Sequence, residues 1–555
     1  MDKNSNEYKG KYKPLKNRFD NLSKSEARLI ELQDTPDRPY FLWHLWFKDV
    51  FDEKGFDILI GNPPYIQLHK LGVETSEYEK AGFQTFARTG DIYCLFYELG
   101  NELLRPGGIL CYITSNSWLK TQYGEALRKY LAENTNPLKL LNFEDTKIFH
   151  TATVETNILL LTKGVFNETL EAVAIHEDYT SNTPIENYFL LNSIKITEFD
   201  NDGWVILSKE DYEIKKHIEK VAKPLKDFNL RINFGVKTGF NAAFLIQSGT
   251  KENLFSQDHK NSEIIKPVLR GRDVEKYSIN FDEQWIIATF PSLKLDIDNY
   301  PSVRDYLLTF GIERLEQTGK EYLIDGKKIK SRKKTGNKWF ETQDQISYWR
   351  DLEKEKILWG ELSDKPKSVY DNGKFYAEAT LFMMTGEKLK YLLAILNSNI
   401  ASWYFNTIST TSGMGTNRWK KYKIEKLPIP DIEDIAPFEI LAEYLTILHD
   451  KTRLSVNPFV DNRSIATIFE DALNMMVYEL YFEDHMKENE IDVLRFLDSN
   501  IFRDISQVET DERKAKIIGE AYSWLQQSGN PIRDRITLAN IRSKDIIRKI
   551  NSSTH

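Results

Sequence analysis

The stretch FDILIGNPPY, residues 56–65, decides how the rest of the chain is interpreted. Its first five residues, 56–60, are rich in apolar side chains and contain no strand breaker. They predict a buried parallel strand, because a strand covered on both faces loses its polar alternation. Pro63 and Pro64 must end that strand, since proline has no backbone N–H to donate to a ladder. Asn62 therefore follows the carboxyl end of a strand, where open α/β sheets bind their ligands.

The side chains after this strand are suited to holding a planar amine. Asn62 offers an amide, the two prolines offer rigidly held backbone carbonyls, and Tyr65 offers a flat aromatic face. The alternative is that these residues form an ordinary turn, since short motifs also occur by chance. The sequence downstream favours the amine site.

The composition is that of a large globular protein. A chain of 555 residues is long enough for roughly three or four domains, and a hydrophobic fraction of 41% allows ordinary cores. The two cysteines, Cys94 and Cys111, do not form a disulfide framework, which fits a reducing, cytoplasmic environment.

Several classes of protein are not indicated. No apolar run approaches the ~18 residues that a membrane span needs, and the first residues do not open a signal peptide. The 9 histidines are scattered without metal-ligand spacing, so no structural metal is predicted. The net charge of −8 does not suggest a nucleic-acid-binding protein, but local basic patches rather than the total charge neutralise phosphates.

Residues 1–50 are predicted to be a helical lead-in. Their aromatic run, residues 40–47, is expected to pack on the sheet as core. No strand followed by a glycine-rich turn precedes residue 56. A cofactor-binding loop therefore cannot be identified upstream of Asn62.

Residues 51–170 predict the second half of an open, largely parallel α/β sheet. An amphipathic helix at 91–104 is expected to begin with Asp91 as its N-cap. The elements that follow are a strand at 109–114, a helix from 115 to about 133, and strands at 138–143 and 154–161.

The remaining chain changes character twice. Residues 171–225 are predicted to be a connector with a few strands, and short strands and turns at 226–435 predict a second, α+β domain. Residues 436–555 are predicted to be helical. The predicted fold class is thus α/β, with a partial Rossmann-like sheet, an α+β domain and a helical C-terminal region.

Three features of residues 226–435 bear on function. Residues 327–338 (KKIKSRKKTGNK) hold seven basic residues and no acidic one, which indicates either a solvated loop or a phosphate contact. Residues 418–423 interleave aromatic and basic side chains, which suits a segment lying on a sugar-phosphate backbone. A helical stripe is expected to be core and comprises Leu389, Leu392, Leu396 and Ile400.

Together these stretches resemble the γ-class amino-type adenine-N6 DNA methyltransferases, and more closely the modification and specificity half of type IIG restriction–modification enzymes. FDILIGNPPYI resembles the family's catalytic loop, GDIYCLFYELGNELLRPGGIL the helix–turn–strand that follows it, and IFHTATVETNILLL the late motif that closes the base pocket. The segments similar to the TaqI-like C-terminal specificity domain are FGVKTGFNAAFLI, IIKPVLRGRDVEKY, LLAILNSNIASWYF and WKKYKIEKLPIP. The family's cofactor strand, glycine loop and nuclease domain lie upstream of these segments and have no counterpart here. The chain is therefore expected to be the C-terminal part of such an enzyme or one subunit of a split one.

The resemblance implies a role for each residue of the loop. The target adenine would be flipped out of the duplex. The Asn62 side-chain oxygen and the Pro63 carbonyl would accept hydrogen bonds from its N6 amine, and Tyr65 would stack on the base. Pro64 and Phe149 would complete the base pocket, although Phe149 is also a good core residue.

The resemblance also implies partners: S-adenosylmethionine as methyl donor, double-stranded DNA, and an upstream methyltransferase or nuclease segment or subunit. No cofactor-binding residue is assigned. The candidates for DNA contact are Lys237, Arg270, Arg272, Arg418, Lys420 and Lys421. For Arg272 a surface ion pair is an equal alternative, given Asp273 beside it.

Two alternatives stay open. The chain could be a non-catalytic DNA-specificity subunit, or an inactive truncated remnant of such an enzyme, because the glycine loop is missing. It could also methylate protein glutamine, since the Asn-Pro-Pro-Tyr motif serves amide nitrogens as well. The long second domain argues against the glutamine alternative.

Overall fold

The computed structural model describes residues 12–33, 41–144, 155–167, 169–176, 179, 183–197, 199, 203–324, 326–363, 365–408, 417–450 and 454–552. These residues form a six-stranded sheet with helices against it, a second domain of short sheets, and a helical C-terminal region. The predicted fold class is confirmed.

The first sheet is mixed rather than largely parallel. Its strands are β1 (Phe56–Gly61), β2 (Leu104–Ser115), β3 (Thr135–Phe143), β4 (Thr156–Lys163), β5 (Leu170–Ile175) and β6 (Ile194–Ile196), in the order β1-β2-β4-β3-β5-β6. The β1–β2 and β3–β5 pairs are parallel, whereas β4 is antiparallel to both of its neighbours. Because β5 begins at Leu170 and β6 at Ile194, strands in the stretch predicted as a connector extend this sheet.

Seven helices are described in this part of the chain: α1 (Lys13–Gln33), α2 (Trp43–Trp46), α3 (Lys48–Asp52), α4 (Val73–Ala81), α5 (Tyr93–Leu103), α6 (Glu125–Asn134) and α7 (Ile185–Asn192). Helix α5 is the central one. Its buried face carries Tyr93, Cys94 and Tyr97 and shares one core with Leu110 and Leu159 of the sheet.

Asp91 does not cap α5, contrary to the prediction. The helix begins after Ile92, which supplies no side-chain cap. The Asp91 carboxylate instead accepts a hydrogen bond from the Tyr123 hydroxyl at 2.9 Å. The cap is therefore lost to a tertiary contact that local sequence does not reveal.

The helix predicted from Ser115 is also interrupted. The structure has two 3-10 turns, Asn116–Leu119 and Gln122–Gly124, before α6 begins. The break is stabilised by Arg128, whose guanidinium donates to the carbonyls of Trp118 and Thr121. Gly124 is needed here because a Cβ atom would collide with the Trp118 carbonyl.

Strand β1 is not buried as predicted. Ile58 and Ile60 share one face of β1 and are 57% and 79% exposed, because no described element covers that face. Strand β1 is also the edge of the sheet and pairs only with β2 among the described residues. The aromatic run before it is not core either, since Trp46 is 68% exposed. Its rings pack on one another and on Phe56, which Phe47 meets edge-to-face at 5.2 Å. The result is an exposed apolar edge.

The second domain follows α8 (Lys209–Val221) and is built from two four-stranded sheets and several short ladders. Its strands are β7 (Lys223–Pro224), β8 (Leu230–Phe234), β9 (Leu245–Gln247), β10 (Ile265–Leu269), β11 (Val274–Glu275), β12 (Ser278–Ile279), β13 (Gln284–Ile287), β14 (Glu321–Ile324), β15 (Lys327–Lys330), β16 (Glu355–Gly360), β17 (Leu362–Ser363), β18 (Ser368–Asn372), β19 (Tyr376–Ala377), β20 (Leu381–Gly386), β21 (Asn417–Arg418) and β22 (Pro428–Ile429). The two larger sheets have the orders β19-β10-β13-β9 and β18-β16-β20-β8.

The helices of this domain are α9 (Asn241–Phe244), α10 (Ser248–Gln257), α11 (Pro301–Leu308), α12 (Ile312–Leu315), α13 (Leu389–Leu396), α14 (Asn399–Ile408) and α15 (Lys421–Ile424). The predicted stripe on α13 and α14 is confirmed as core: Leu389, Leu392, Leu396 and Ile400 are all buried.

The C-terminal helices are α16 (Ala436–His449), α17 (Asn462–Glu488), α18 (Asp511–Leu525), α19 (Pro531–Arg542) and α20 (Ile547–Ser552). One hydrophobic cluster runs from the β16–β20 pair through α13 and α14 into α16 and α17. The helical region is therefore packed continuously against the second domain.

None of the described helices is both long and apolar enough to span a membrane. Within the same residues, histidine, cysteine and carboxylate side chains form no cluster of three or more that could hold a metal ion.

Candidate functional site

The loop after β1 lies at the carboxyl ends of β1 and β2. Gly61 pairs with Tyr112 in β2, and the chain then leaves the sheet with Asn62 exposed, Pro63 buried and Pro64 exposed. Among the described residues, the Asn62 amide has no hydrogen-bond partner. The loop thus presents a free amide beside a rigid, partly buried backbone.

Tyr65 is held in place on two sides. Its hydroxyl donates to the Ile113 carbonyl at 3.3 Å, and its half-buried ring meets Tyr93 edge-to-face at 6.1 Å. Burial raises the pKa of Tyr65, so the phenol stays protonated and remains a donor at neutral pH. These contacts fix the ring without covering it completely.

Behind Tyr65 lies a hydrogen-bonded group that sequence reasoning missed. Tyr93 and Tyr123 share a hydrogen bond at 3.0 Å, and Tyr123 donates to Asp91. Burial raises the pKa of Tyr123, which keeps its phenol a donor. Gln67 forms an antiparallel bridge with Asp91, so the segment that leaves the loop is tied to this group. The only sequence signal was the family stretch beginning at Gly90.

A second polar network lies at the same edge of the sheet. The Asn116 amide donates to Asn142 at 3.0 Å and to Glu155 at 3.1 Å. Glu144 accepts from Asn142 at 2.9 Å and from Lys120 at 2.7 Å. This network fixes the ends of the strands next to the loop. Phe149, the predicted pocket residue, lies outside the described residues.

The predicted DNA-contact residues converge on one turn, residues 378–380. Ala379 donates its N–H to the Val236 carbonyl at 3.0 Å, and Thr380 Oγ1 accepts from the N–H of Gly271 at 2.9 Å. These bonds bring the segment around Val236 and the segment around Gly271 together at the turn. Around the turn, Lys237 and Arg272 are exposed and Arg270 is half-buried.

The segment around Trp419 reaches the same turn through Glu361. The N–H of Glu361 donates to Thr380 at 3.1 Å, and its carbonyl accepts from Trp419 at 2.7 Å. The β17–β21 ladder places Leu362 opposite Arg418. Segments far apart in sequence therefore form one surface, which includes the backbone of Arg418, Lys420 and Lys421.

Arg272 and Lys421 are engaged in ion pairs. Arg272 contacts Asp282 at 2.7 Å and Asp273 at 3.7 Å, so the ion-pair alternative weighed for Arg272 is present in the structure. Lys421 lies 3.7 Å from Glu425. These contacts are on the surface, where an ion pair is worth only about 0–1 kcal/mol and can be exchanged for a phosphate.

The interleaved segment 418–423 is partly core, which corrects its interpretation as a backbone-binding strip. Trp419 is buried and stacked on Phe405, with ring centroids 3.7 Å apart and an interplanar angle of 1°. Lys423 is buried as well and donates to the Ile408 carbonyl. Trp419 is therefore not accessible for stacking on a nucleic-acid base.

The basic segment 327–338 also contains both exposed and buried side chains. Arg332 is buried, and its guanidinium donates to four backbone carbonyls, those of Leu315, Thr238, Glu341 and Trp339, at 2.6 to 3.0 Å. Burial lowers the pKa of Arg332 to about 10, which leaves it charged at neutral pH. Arg332 is therefore a structural residue.

Replacing Arg332 by lysine should lower the free energy of unfolding by about 2–4 kcal/mol, because one ammonium cannot replace a planar group that satisfies four carbonyls. Thermal unfolding of the variant measures the loss. The exposed neighbour provides the control, since Lys333→Gln should leave the melting temperature unchanged. A stable Arg332→Lys variant with weaker DNA binding would instead place Arg332 at the DNA.

Two family models match separate parts of the chain. Residues 4–149 match the Eco57I restriction-modification methylase, and residues 266–429 match the TaqI-like C-terminal specificity domain. One stretch of the chain is thus similar to a methylase and another to a specificity domain, and the relatives of the whole chain include type II methyltransferases.

Relatives match over most of the chain. The type II methyltransferase M.XhoI of Xanthomonas vasicola is 22% identical over 398 residues, which cover 68% of this chain and 69% of M.XhoI. M.BstVI of Geobacillus stearothermophilus is 22% identical, over 81% of this chain and 77% of its own length. The type II restriction enzyme and methyltransferase RM.Eco57I of Escherichia coli is 25% identical, over 72% of this chain and 44% of its own length.

Two solved structures are similar over part of their length. The type IIG restriction endonuclease BpuSI is 15% identical with a TM-score of 0.33, over 77% of this chain and 54% of BpuSI. The type IIL restriction–modification enzyme MmeI, solved with DNA, is 10% identical with a TM-score of 0.36, over 90% of this chain and 58% of MmeI. The chain spans little more than half of either enzyme.

Proposed function

We propose that this chain directs methyl transfer to the exocyclic N6 of adenine in double-stranded DNA, at sites selected by its second domain. The observation that carries the proposal is the loop after β1, where a free, exposed Asn62 amide is followed by the buried Pro63 and the anchored ring of Tyr65. Its relatives include type II methyltransferases, and a DNA target would be met in the cytoplasm, where we propose that the protein acts.

The loop suits the chemistry of an adenine amine. The N6 lone pair is delocalised into the ring and is therefore a poor nucleophile. The side-chain oxygen of Asn62 and the carbonyl of Pro63 would accept hydrogen bonds from the two N–H groups of the amine. These bonds would draw the nitrogen toward tetrahedral geometry, which localises its lone pair. Acceptors that are already in position need little reorganisation during the reaction. The proton leaves after the nitrogen has become cationic, so no general base is needed beforehand.

The base must leave the duplex, because its N6 cannot be reached inside the stack. Tyr65 would then stack on it, and Pro64 and Phe149 would close the pocket. The hydroxyl of Tyr65 bonds to Ile113 and its ring abuts Tyr93. The ring is therefore already ordered before the base binds, and no further conformational entropy is lost in positioning it.

Removal of the ring should weaken capture of the flipped base. Base–aromatic stacking is worth about 1–3 kcal/mol, so Tyr65→Ala should lower the flipped fraction roughly 5- to 150-fold. A fluorescent adenine analogue at the target should brighten less with Tyr65→Ala than with the wild type. Tyr65→Phe keeps the ring and should retain most of the signal; equal brightness for Tyr65→Ala would rule out stacking.

The methyl donor of such enzymes is S-adenosylmethionine, but the described residues do not fit it by themselves. The residues described before β1 form helices α1 to α3, with no strand and no glycine turn at a strand end, and adenosine recognition in this fold uses such a turn. We assign no cofactor residue in this chain.

The open edge of β1 points to where the cofactor site is completed. We propose that an upstream methyltransferase or nuclease segment, in the same protein or in a partner, covers Ile58 and Ile60 and brings its cofactor loop to Asn62. An exposed edge strand with apolar side chains is a ready site for strand pairing. Residues 40–65 would be the docking surface.

We further propose that residues 51–170, extended by β5 and β6, form the catalytic half. Residues 226–435 would select the DNA sequence, and residues 436–555 would support them. The continuous hydrophobic cluster between the second domain and α16–α17 supports this role for the helices.

Radiolabelled methyl transfer tests the proposal, with the chain alone and with the product of the adjacent upstream reading frame. Label in duplex DNA only when both are present is the expected result. Sequence-selective DNA binding with no transfer in any combination would favour the non-catalytic or truncated alternative. Label that appears in protein rather than DNA would favour a glutamine methyltransferase.

A further inference from the structure

Strands β14 and β15 form a separate two-stranded ribbon. They pair with each other and, among the described residues, with no other strand. The register sets Tyr322 opposite Ile329 and Leu323 opposite Lys328. Because side chains alternate along a strand, the ribbon has two distinct faces.

The inner face is anchored to the domain. Tyr322 donates its hydroxyl to Glu316 at 2.6 Å, and Arg314 donates to the Lys330 carbonyl at 2.6 Å. The ladder is continued below the ribbon by backbone hydrogen bonds from Ser331 and Gly319. Since the buried Arg332 follows directly, the base of the ribbon is rigid.

The outer face carries two lysines, one glutamate and one exposed leucine. Leu323 is 73% exposed and stands opposite Lys328, with Glu321 and Lys330 forming the next pair on the same face. Five lysines of the ribbon and the turn after it are exposed and make no ion pair within the described part of the chain: Lys327, Lys328, Lys330, Lys333 and Lys334.

We infer that this ribbon enters the major groove of DNA and that Leu323 contacts base edges there. This inference rests on the proposed function, because it requires DNA as the partner. A two-stranded ribbon fits the major groove, which is about 12 Å wide, but not the minor groove of about 6 Å. The exposed lysines reach the phosphates on either side.

The leucine is the informative residue. A segment that only neutralises phosphates has no use for an exposed apolar side chain beside its lysines. In the major groove, an apolar side chain can contact the methyl group of thymine, which distinguishes that base from the others. Leu323 thus supplies selectivity, while the lysines supply affinity that depends on salt.

The experiment compares variants of the full chain on its preferred duplex, which is first obtained by selection from random DNA. Leu323→Ser should weaken binding to the selected duplex about 5- to 20-fold, leave binding to random duplex unchanged, and keep the salt dependence. The double variant Lys328→Gln/Lys330→Gln should weaken binding to the selected duplex and to random duplex alike. It should also lower the slope of log affinity against log salt by about two.

Matched controls lie far along the chain. Ile541→Ser in α19 and Lys516→Gln in α18 remove comparably exposed side chains. They should change neither the affinity for DNA nor its dependence on salt. Dimethyl sulfate protection gives an independent readout, because it reports guanine N7 in the major groove and adenine N3 in the minor groove. The wild-type chain should protect N7, and Leu323→Ser should lose part of that protection.

Two results would overturn the inference and can be told apart. If Leu323→Ser keeps full affinity, selectivity and N7 protection, the ribbon lies outside the groove, while the proposed methyl transfer stands unaffected. If the wild-type chain binds no duplex DNA at all, the inference and the proposed DNA function fail together.

Discussion

Asn62→Ala should reduce methyl transfer by about 10²–10³-fold or more while DNA affinity stays within a few-fold. The loss is the size expected when one preorganised polar group is removed from a reacting centre. Affinity should persist because contacts with phosphates dominate binding, and Asn62 would address only the flipped base. The exposed amide has no partner among the described residues, so its removal should not unfold the loop.

Single-turnover transfer with the complete assembly measures this effect, and a gel shift on the same DNA measures binding. Asn62→Asp is the informative companion variant, since it keeps an acceptor oxygen at the same place and should retain more activity than alanine. Loss of DNA binding in parallel with loss of transfer would refute the assignment of Asn62 to the base.

The second large effect concerns the edge of β1. The chain alone should show no binding of S-adenosylmethionine in the micromolar range, and addition of the upstream segment should create that affinity. The substitutions Ile58→Asp and Ile60→Asp should prevent the two from co-purifying, because each places a charge in an apolar interface. Both side chains are exposed in the chain alone, so neither substitution should reduce its own stability.

Calorimetry and co-purification provide the two measurements. Val165→Asp is the matched control, since Val165 is an exposed apolar residue outside the described strands and helices, and it should leave co-purification intact. Micromolar cofactor binding by the chain alone would contradict the prediction that the cofactor site needs the upstream segment. A well-behaved monomer that does not bind the upstream product would contradict docking at the edge of β1.

The elements near the loop were predictable because their signals are local. Two prolines end β1 just before Asn62, and the stripe from Leu389 to Ile400 has helical spacing and is buried. Local signals did not reveal neighbours. An apolar run looks the same in a central strand and in an edge strand, which is why it predicts burial for β1. The lack of a predicted strand upstream of β1, however, indicates an unpaired edge and an apolar face open to water, and Ile58 and Ile60 are exposed.

The errors in the site have the same cause. Asp91 was assigned to a helix cap because its local sequence allows it, but Tyr123 supplies a better partner from a distant turn. Trp419 alternates with lysines as a surface residue would, but it stacks on Phe405. Arg332 stands in a basic run, but its guanidinium satisfies four carbonyls from three other segments. In each case a tertiary contact decides the role.

The identity of the methylated atom tests the central claim most directly. The complete assembly is incubated with methyl donor and the selected duplex, and the DNA is digested to nucleosides for mass spectrometry. The account predicts N6-methyladenine at one position of the site, and its absence with Asn62→Ala. Methylcytosine, or methylated protein with unmodified DNA, would contradict it.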